Sequence, residues 1–207
     1  MRLRCRRHFL YRPYKPLPCH APNTLKMHMQ LDTQFGVVTI VNEPTYTFGS
    51  QDNIRTYPLE LLLGNHGPTS VHGVELNGCR VAVVGADGGC TAVHAHSAVA
   101  IDDKLYLAVG NHVACLSLSS PHPLVWSTSV DIATCFGIYW DSDRAALISH
   151  GELAIARLSL QGNVMWSAYG ADIFTESVRL LPDCIEAIDF NHDVYRFDYA
   201  TGASHMR

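Results

Sequence analysis

Residues 97–127 read SAVAIDDKLYLAVGNHVACLSLSSPHPLVWS, and residues 145–167 read AALISHGELAIARLSLQGNVMWS. Both stretches alternate short runs of β-prone residues with turns rich in Gly, Asn, Asp and Pro, and both end on Trp-Ser. The two tryptophans, Trp126 and Trp166, are 40 residues apart. A period of this length is typical of arrays of small sheets, in which each unit buries its faces against its neighbours.

Other landmarks keep the same period. After each Trp the chain repeats the pattern Asp-Ile-x-Thr, at residues 131–134 and again at residues 172–175. A third copy occupies residues 185–202, but it has no Trp. We interpret this last copy as a unit that lacks its final strand.

The first part of the chain also contains strand patterns. Residues 35–41 and 80–84 are apolar, β-branched runs, and the second is preceded by an Asn-Gly pair that is typical of a hairpin turn. The sequence therefore predicts an all-β fold, a small or incomplete β-propeller-like array of four to five short antiparallel sheets, in a single domain over residues 27–207. We expect the strand at 35–41 to supply the strand that the last copy lacks, which would close the ring.

The ends of the units resemble a known repeat. Residues 161–166 (QGNVMW) combine a Gly-Asn turn, an apolar pair and a Trp, and residues 200–202 (ATG) repeat the turn. Over residues 97–202 the pattern resembles the pyrroloquinoline-quinone-like or WD-like β-propeller repeat. The resemblance implies blades with the indole wedged between neighbouring sheets. Quinone binding in that family relies on a vicinal disulfide, and no two cysteines are adjacent here; we therefore expect no cofactor.

Charge divides the chain into two parts. Residues 1–26 contain seven of the 15 Lys and Arg residues, four prolines and no acid. We interpret this segment as a disordered basic extension; the alternative is an arm that contacts an anionic partner. The remainder has 8 basic and 19 acidic residues, a formal charge of −11. Such a body repels phosphate backbones, which argues against nucleic-acid binding by the core.

Two further features bear on location. No apolar run approaches the roughly 18 residues that a membrane span needs, so we expect a soluble protein without a membrane segment. The seven cysteines are odd in number and show no Cys-x-x-Cys spacing. This usage is typical of reduced thiols and predicts a cytoplasmic protein.

Five polar residues are candidate binding residues. Asp131 and Asp172 recur at the same place in their units, where they either line a common ligand-binding face or accept backbone hydrogen bonds in turns. His112, His150 and His192 share a turn position and have the same two interpretations.

A metal site is the second possibility. His94 and His96 would project to one side of a strand, as metal ligands require, although no spacing in the sequence matches a recognised zinc pattern. Because no complete catalytic constellation is visible, we predict a non-catalytic interaction module for an unidentified protein partner. The alternative is a metal-dependent enzyme that uses the region of His94 and His96.

Overall fold

The computed structural model describes residues 28–206, which form strands and turns without a helix. The strands are β1 (His28–Thr33), β2 (Gly36–Asn42), β3 (Glu60–Leu63), β4 (Ser70–Leu76), β5 (Cys79–Ala86), β6 (Ala98–Ile101), β7 (Lys104–Val109), β8 (His112–Ser117), β9 (Leu124–Ser129), β10 (Cys135–Asp141), β11 (Ala146–Gly151), β12 (Ala154–Leu158), β13 (Val164–Tyr169), β14 (Val178–Leu180), β15 (Ile185–Ile188), β16 (Val194–Phe197) and β17 (Ser204–Met206). The predicted basic extension, 1–26, lies outside the described residues. Residues 28–206 contain no helix that is long and apolar enough to cross a membrane.

The strands of residues 28–206 form four sheets. Sheet 1 has the order β1-β2-β4-β5-β3, sheet 2 is β6 to β9, sheet 3 is β10 to β13, and sheet 4 is β14 to β17. Sheets 2 to 4 are antiparallel meanders, whereas β3 joins the edge of sheet 1 parallel to β5. The prediction of an all-β array of four to five small sheets is confirmed. The order of the strands in residues 28–206 is consistent with an incomplete propeller-like arrangement.

Each meander has two edges with different connections. At one edge, called the linker edge here, one sheet passes to the next and the two central strands of each sheet are joined. The linker edge comprises the linkers 87–97, 130–134 and 170–177 and the central turns 110–111, 152–153 and 189–193. The opposite edge, called the hairpin edge, carries the remaining hairpin turns of each sheet, including the Asn77-Gly78 turn that the sequence predicted.

The core consists of apolar layers between consecutive sheets. Strand β7 explains why, because Leu105 and Leu107 pack into the layer against sheet 1, whereas Tyr106 and Ala108 pack into the layer against sheet 3. Successive side chains of a strand point to opposite faces, so a strand that is apolar at every position is buried on both. A third layer joins sheets 3 and 4. None of these buried layers joins sheet 4 to sheet 1 within residues 28–206.

The repeated tryptophans join neighbouring sheets at the hairpin edge. The Nε1 atom of Trp126 donates to the carbonyl of Leu160, 3.0 Å away in sheet 3. A Cβ atom on Gly162 would lie 2.6 Å from Cδ2 of Trp126, so the indole packs directly on that glycine. Trp166 repeats the arrangement one sheet further, where Nε1 donates to the carbonyl of Tyr199 at 2.9 Å.

The last sheet corrects two expectations. It has a fourth strand, Ser204–Met206, so the prediction that the third copy lacks its last strand is wrong. In this strand His205 pairs with Arg196, at the register that Trp166 occupies in sheet 3. The strand at 35–41 does not complete sheet 4, because β2 pairs with β1 and β4 inside sheet 1. The sequence did not predict β17 because this strand has no Trp, but its backbone still pairs with β16.

The two outer faces of the array are protected differently. On sheet 1 the connection between β2 and β3 covers the face, and Tyr57 packs in a small apolar cluster with Val83. On sheet 4 the outer face carries a cross-strand row of Arg179, Glu186 and Arg196, in which both guanidinium groups donate to the buried carboxylate. Stacked sheets need such polar or covered ends, because an apolar end face would invite further association.

Candidate functional site

The five predicted binding residues all lie at the linker edge. Asp131 and Asp172 lie in the linkers that follow sheets 2 and 3, and His192 lies in the central turn of sheet 4. His112 begins β8 and His150 is near the end of β11, so both flank a central turn. The meander topology accounts for this, since linkers and central turns always occur at the same edge.

Asp131 is fully engaged by backbone amides. Its Oδ1 atom accepts from the N–H of Ala133 at 2.7 Å, and its Oδ2 atom accepts from Leu153 at 2.9 Å and Ala154 at 3.0 Å. The residue is 6% exposed. Asp131 therefore fixes the linker to the central turn of sheet 3, and its oxygens are directed at the protein's own backbone.

Asp172 makes the equivalent connection with sheet 4. Its Oδ1 atom accepts from the backbone N–H of Ile173 at 2.8 Å, and its Oδ2 atom accepts from Nδ2 of Asn191 at 2.7 Å. This carboxylate is only partly buried, and one of its two contacts is with a side chain. The two repeated aspartates thus occupy the same place but are held with different strength.

A third aspartate, Asp87, occupies the corresponding linker after sheet 1, and its equivalence with Asp131 and Asp172 was not predicted. The backbone N–H of Asn111, in the central turn of sheet 2, donates to the Asp87 carbonyl at 3.0 Å. With its amide nitrogen oriented toward Asp87, the Asn111 side chain also donates to Oδ1 of Asp87 at 3.1 Å. The signal was present in the sequence, since Asp87 precedes Asp131 by 44 residues, close to the 41 between Asp131 and Asp172.

His112 belongs to this same connection. Its Nδ1 atom accepts from the reoriented Asn111 amide at 2.6 Å and lies 4.0 Å from Oδ1 of Asp87. Burial lowers the pKa of His112, and the nearby Asp87 charge partly opposes that effect. His112 therefore favours its neutral form in the fold.

His150 and His192 differ in burial. His150 is buried and its Nε2 atom lies 2.9 Å from the carbonyl of Phe174, so it donates across to the linker before sheet 4. His192 is exposed, has a left-handed φ of 66° and donates its backbone N–H to the carbonyl of Asp189 at 3.0 Å. His150 joins elements, whereas the contacts of His192 here are those of a turn residue.

The prediction that His94 and His96 alternate on a strand is wrong. Both precede β6 in a turn, which Ser97 closes by accepting the His94 N–H at Oγ and donating its own N–H to the His94 carbonyl. The two ring nitrogens of His94 are both engaged, Nε2 at 2.6 Å from the carbonyl of Phe136 and Nδ1 at 3.2 Å from the His96 amide. The His96 ring stacks on Tyr139 with centroids 4.3 Å apart. In residues 28–206 no three His, Cys, Asp or Glu side chains are grouped as metal ligands would be.

Two buried histidines make stability dependent on pH. Burial lowers the pKa of His72 and of His150 from 6.5 to about 4. As the pH falls, these histidines bind protons in the unfolded chain before they do so in the folded one. The free energy of unfolding is therefore highest above pH 6.5 and decreases as the pH falls toward 4. By pH 5 the loss is about 2 kcal/mol for each residue.

We expect His150→Gln, which keeps a donor for the Phe174 carbonyl, to reduce this loss. Between about pH 7.5 and about pH 5 the fall in the free energy of unfolding should be about 2 kcal/mol smaller than in the wild type. Urea unfolding followed by circular dichroism at the two pH values measures it. The exposed His192→Gln serves as the control and should leave the size of this fall as it is in the wild type. An equal fall in wild type and His150→Gln would contradict the assignment.

Large apolar side chains are exposed at the linker edge. Ile132 is 86% exposed, Tyr169 is 67% exposed and Phe190 is 61% exposed. Ile132 and Tyr169, together with Val164, line an open groove of about 220 Å³ between sheets 2 and 3. Apolar surface presented in this way is typical of a contact site for another molecule.

The same edge is acidic. Its linkers and central turns contain no Lys or Arg. They contain seven acidic residues, of which Asp131 and Asp189 are buried: Asp87, Asp131, Glu152, Asp172, Glu176, Asp189 and Asp193. The linker edge therefore combines exposed apolar groups with a field of one sign.

Comparison with known proteins leaves the class of protein undefined. The chain matches no family model, and no curated protein matches its sequence. Function must therefore be inferred from the linker edge itself, because a fold alone does not specify an activity.

Proposed function

We propose that the chain is a non-catalytic interaction module that binds a protein partner through its linker edge. The observation that carries this proposal is the exposure of Ile132, Tyr169 and Phe190 on turns and strand ends of a single edge. Large apolar and aromatic side chains supply most of the binding energy in protein interfaces.

Rigidity of the edge supports the proposal. The linker of Ile132 is held by the three amide contacts of Asp131, and the turn of Phe190 is held by the contact between Asp172 and Asn191. A surface that is already ordered loses little conformational freedom on binding. The repeated aspartates thus contribute to binding by positioning the groups that make contact.

Charge defines the partner further. An edge with seven acidic residues and no Lys or Arg attracts a basic protein surface and repels nucleic acid. The alternative is metal-dependent chemistry at His94 and His96. A metal ion there would have to replace a contact of the His94 ring, because both of its nitrogens already have partners.

Two finer proposals accompany it. We propose that sheets 2 to 4 are repeats of the pyrroloquinoline-quinone-like type, which the packing of Trp126 on Gly162 and of Trp166 on Gly202 supports. We also propose that the protein acts in the cytoplasm. The five cysteines of the described range are all free, as is typical of a reducing compartment.

The test compares partner capture by two variants of the full chain. Ile132→Ser/Tyr169→Ser/Phe190→Ser removes the apolar groups of the linker edge. The control, Val125→Ser/Met165→Ser, removes two exposed apolar groups near the hairpin edge. Quantitative affinity purification should recover one protein with the wild type and the control, and about tenfold less of it with the triple variant.

Melting curves must show that the triple variant is folded. A partner that is retained equally by the triple variant and the wild type would overturn the linker edge as the binding surface. If no recovered protein differs in amount between the wild type and the triple variant, the proposed function is overturned.

A further inference from the structure

The described chain begins at the linker edge. His28 is the first residue of β1 and pairs with Val41 at the end of β2, next to the connection that leaves this edge. His28 and His94, a residue of the linker between sheets 1 and 2, line one cavity of about 410 Å³. The 27 residues that precede His28 are therefore attached beside the acidic surface.

The composition of residues 1–26 complements that surface. The segment contains seven Lys or Arg residues and no acid, whereas the linkers and central turns of the linker edge contain seven acids, two of them buried, and no Lys or Arg. The segment also contains large apolar side chains, among them Phe9, Leu10 and Tyr11. Both chemical requirements of the edge, positive charge and apolar contact, are thus met within the same chain.

The tether is long enough for every part of the edge. A chain of 27 residues spans at most roughly 90 Å when extended, and a folded body of this size is about 40 Å across. Exposed ion pairs are individually weak and are screened by salt. A tethered segment nevertheless acts at an effective concentration in the millimolar range, so several weak contacts together can hold it.

We propose that residues 1–26 dock on the linker edge of their own chain. The basic side chains face the acidic linkers and turns, and an apolar side chain occupies the groove lined by Ile132, Val164 and Tyr169. The docked segment competes with a partner for this surface. The competition rests on the proposed function, whereas the docking itself does not.

The chain's own cysteines provide the measurement. Cys5 and Cys19 lie in the segment, the exposed Cys90 lies in a linker of the linker edge, and the exposed Cys79 begins β5 at the hairpin edge. The full chain is treated at low concentration with a short bismaleimide, and the linked peptides are quantified by mass spectrometry. We expect links from the segment to Cys90 to exceed links to Cys79 by about fivefold.

A tether alone could also favour Cys90, so the controls are electrostatic. Docking predicts that the links to Cys90 fall several-fold in about 0.5 M NaCl. They should fall similarly in Glu176→Lys/Asp193→Lys, which changes two exposed acids of the linker edge, and should persist in Asp143→Lys/Asp183→Lys, which changes two exposed acids of the hairpin edge.

Links that are unchanged by salt and by both charge variants would overturn the docking, as would links that form between separate molecules. Failure here leaves partner capture by the linker edge untouched, because that experiment does not involve the segment. Conversely, salt-sensitive links together with partner capture that ignores Ile132, Tyr169 and Phe190 would support the docking and overturn the proposed function.

Discussion

Trp166→Ala is expected to lower the free energy of unfolding by about 3 kcal/mol. The indole packs on Gly202 of the next sheet and donates to the Tyr199 carbonyl, so the substitution opens the contact between sheets 3 and 4 at the hairpin edge. Trp126→Ala should have a similar effect between sheets 2 and 3, because Trp126 makes the same contacts. Urea unfolding followed by circular dichroism measures both.

The neighbouring Met165 offers a matched control. It lies on the same strand as Trp166 but is 57% exposed, so Met165→Ala should change the free energy of unfolding by less than about 0.5 kcal/mol. Wild-type unfolding of both Trp variants would contradict the role of the indoles in joining the sheets.

Asp131→Ala is expected to cost about 3 to 5 kcal/mol. The substitution leaves the amides of Ala133, Leu153 and Ala154 without their acceptor at a site that is almost closed to water. An unsatisfied buried donor costs more than the hydrogen bond itself contributes, which is why a single carboxylate can have so large an effect. Chemical unfolding of the purified variant measures the loss.

Asp172→Ala separates this mechanism from a general effect of removing charge. Asp172 accepts from one backbone amide and from the Asn191 side chain, and it is partly exposed, so water can replace it. We expect a loss of about 1 kcal/mol. Equal small losses in the two variants would show that Asp131 does not hold the linker, and would return it to the group of candidate ligand-binding residues.

The Trp and Asp substitutions test contacts at opposite edges of the interface between neighbouring sheets. At the hairpin edge, a Trp of one sheet packs on a glycine turn of the next sheet. At the linker edge, an Asp of one linker binds the central turn of the next sheet. Each pair of neighbouring sheets among sheets 2 to 4 is therefore fastened at both edges, with the apolar layer between them. The same contacts hold in place the turns and strand ends that carry the exposed apolar side chains of the linker edge.

Much of the fold could be predicted from local patterns. The period from Trp126 to Trp166, the apolar runs and the Asn-Gly turn together predicted small β-sheets, because strand propensity and turn chemistry depend on neighbouring residues. Strands β1, β4, β10, β14 and β17 were not predicted, and two of them have weak local signals. Strand β14 (Val178–Leu180) has only three residues, and β17 (Ser204–Met206) has no Trp, so pairing with neighbouring strands alone defines them.

The candidate site was predicted less completely. Repetition identified Asp131 and Asp172 as equivalent positions, but it left open whether they bind a ligand or the backbone. The alternate spacing of His94 and His96 suggested a strand, where hydrogen bonds with Ser97 form a turn instead. Spacing along a sequence does not show which groups a side chain meets.

Local patterns and composition alone show that the chain is built from repeated β units, and that an acidic body follows a basic segment of 26 residues. The contacts of the repeated aspartates with the next sheet, and the exposure of Ile132, Tyr169 and Phe190 at the same edge, depend on how the sheets stack. Asp131, for example, accepts hydrogen bonds from Leu153 and Ala154, more than twenty residues away in the sequence. Contacts of that range arise only when sheets stack, so no local pattern contains them.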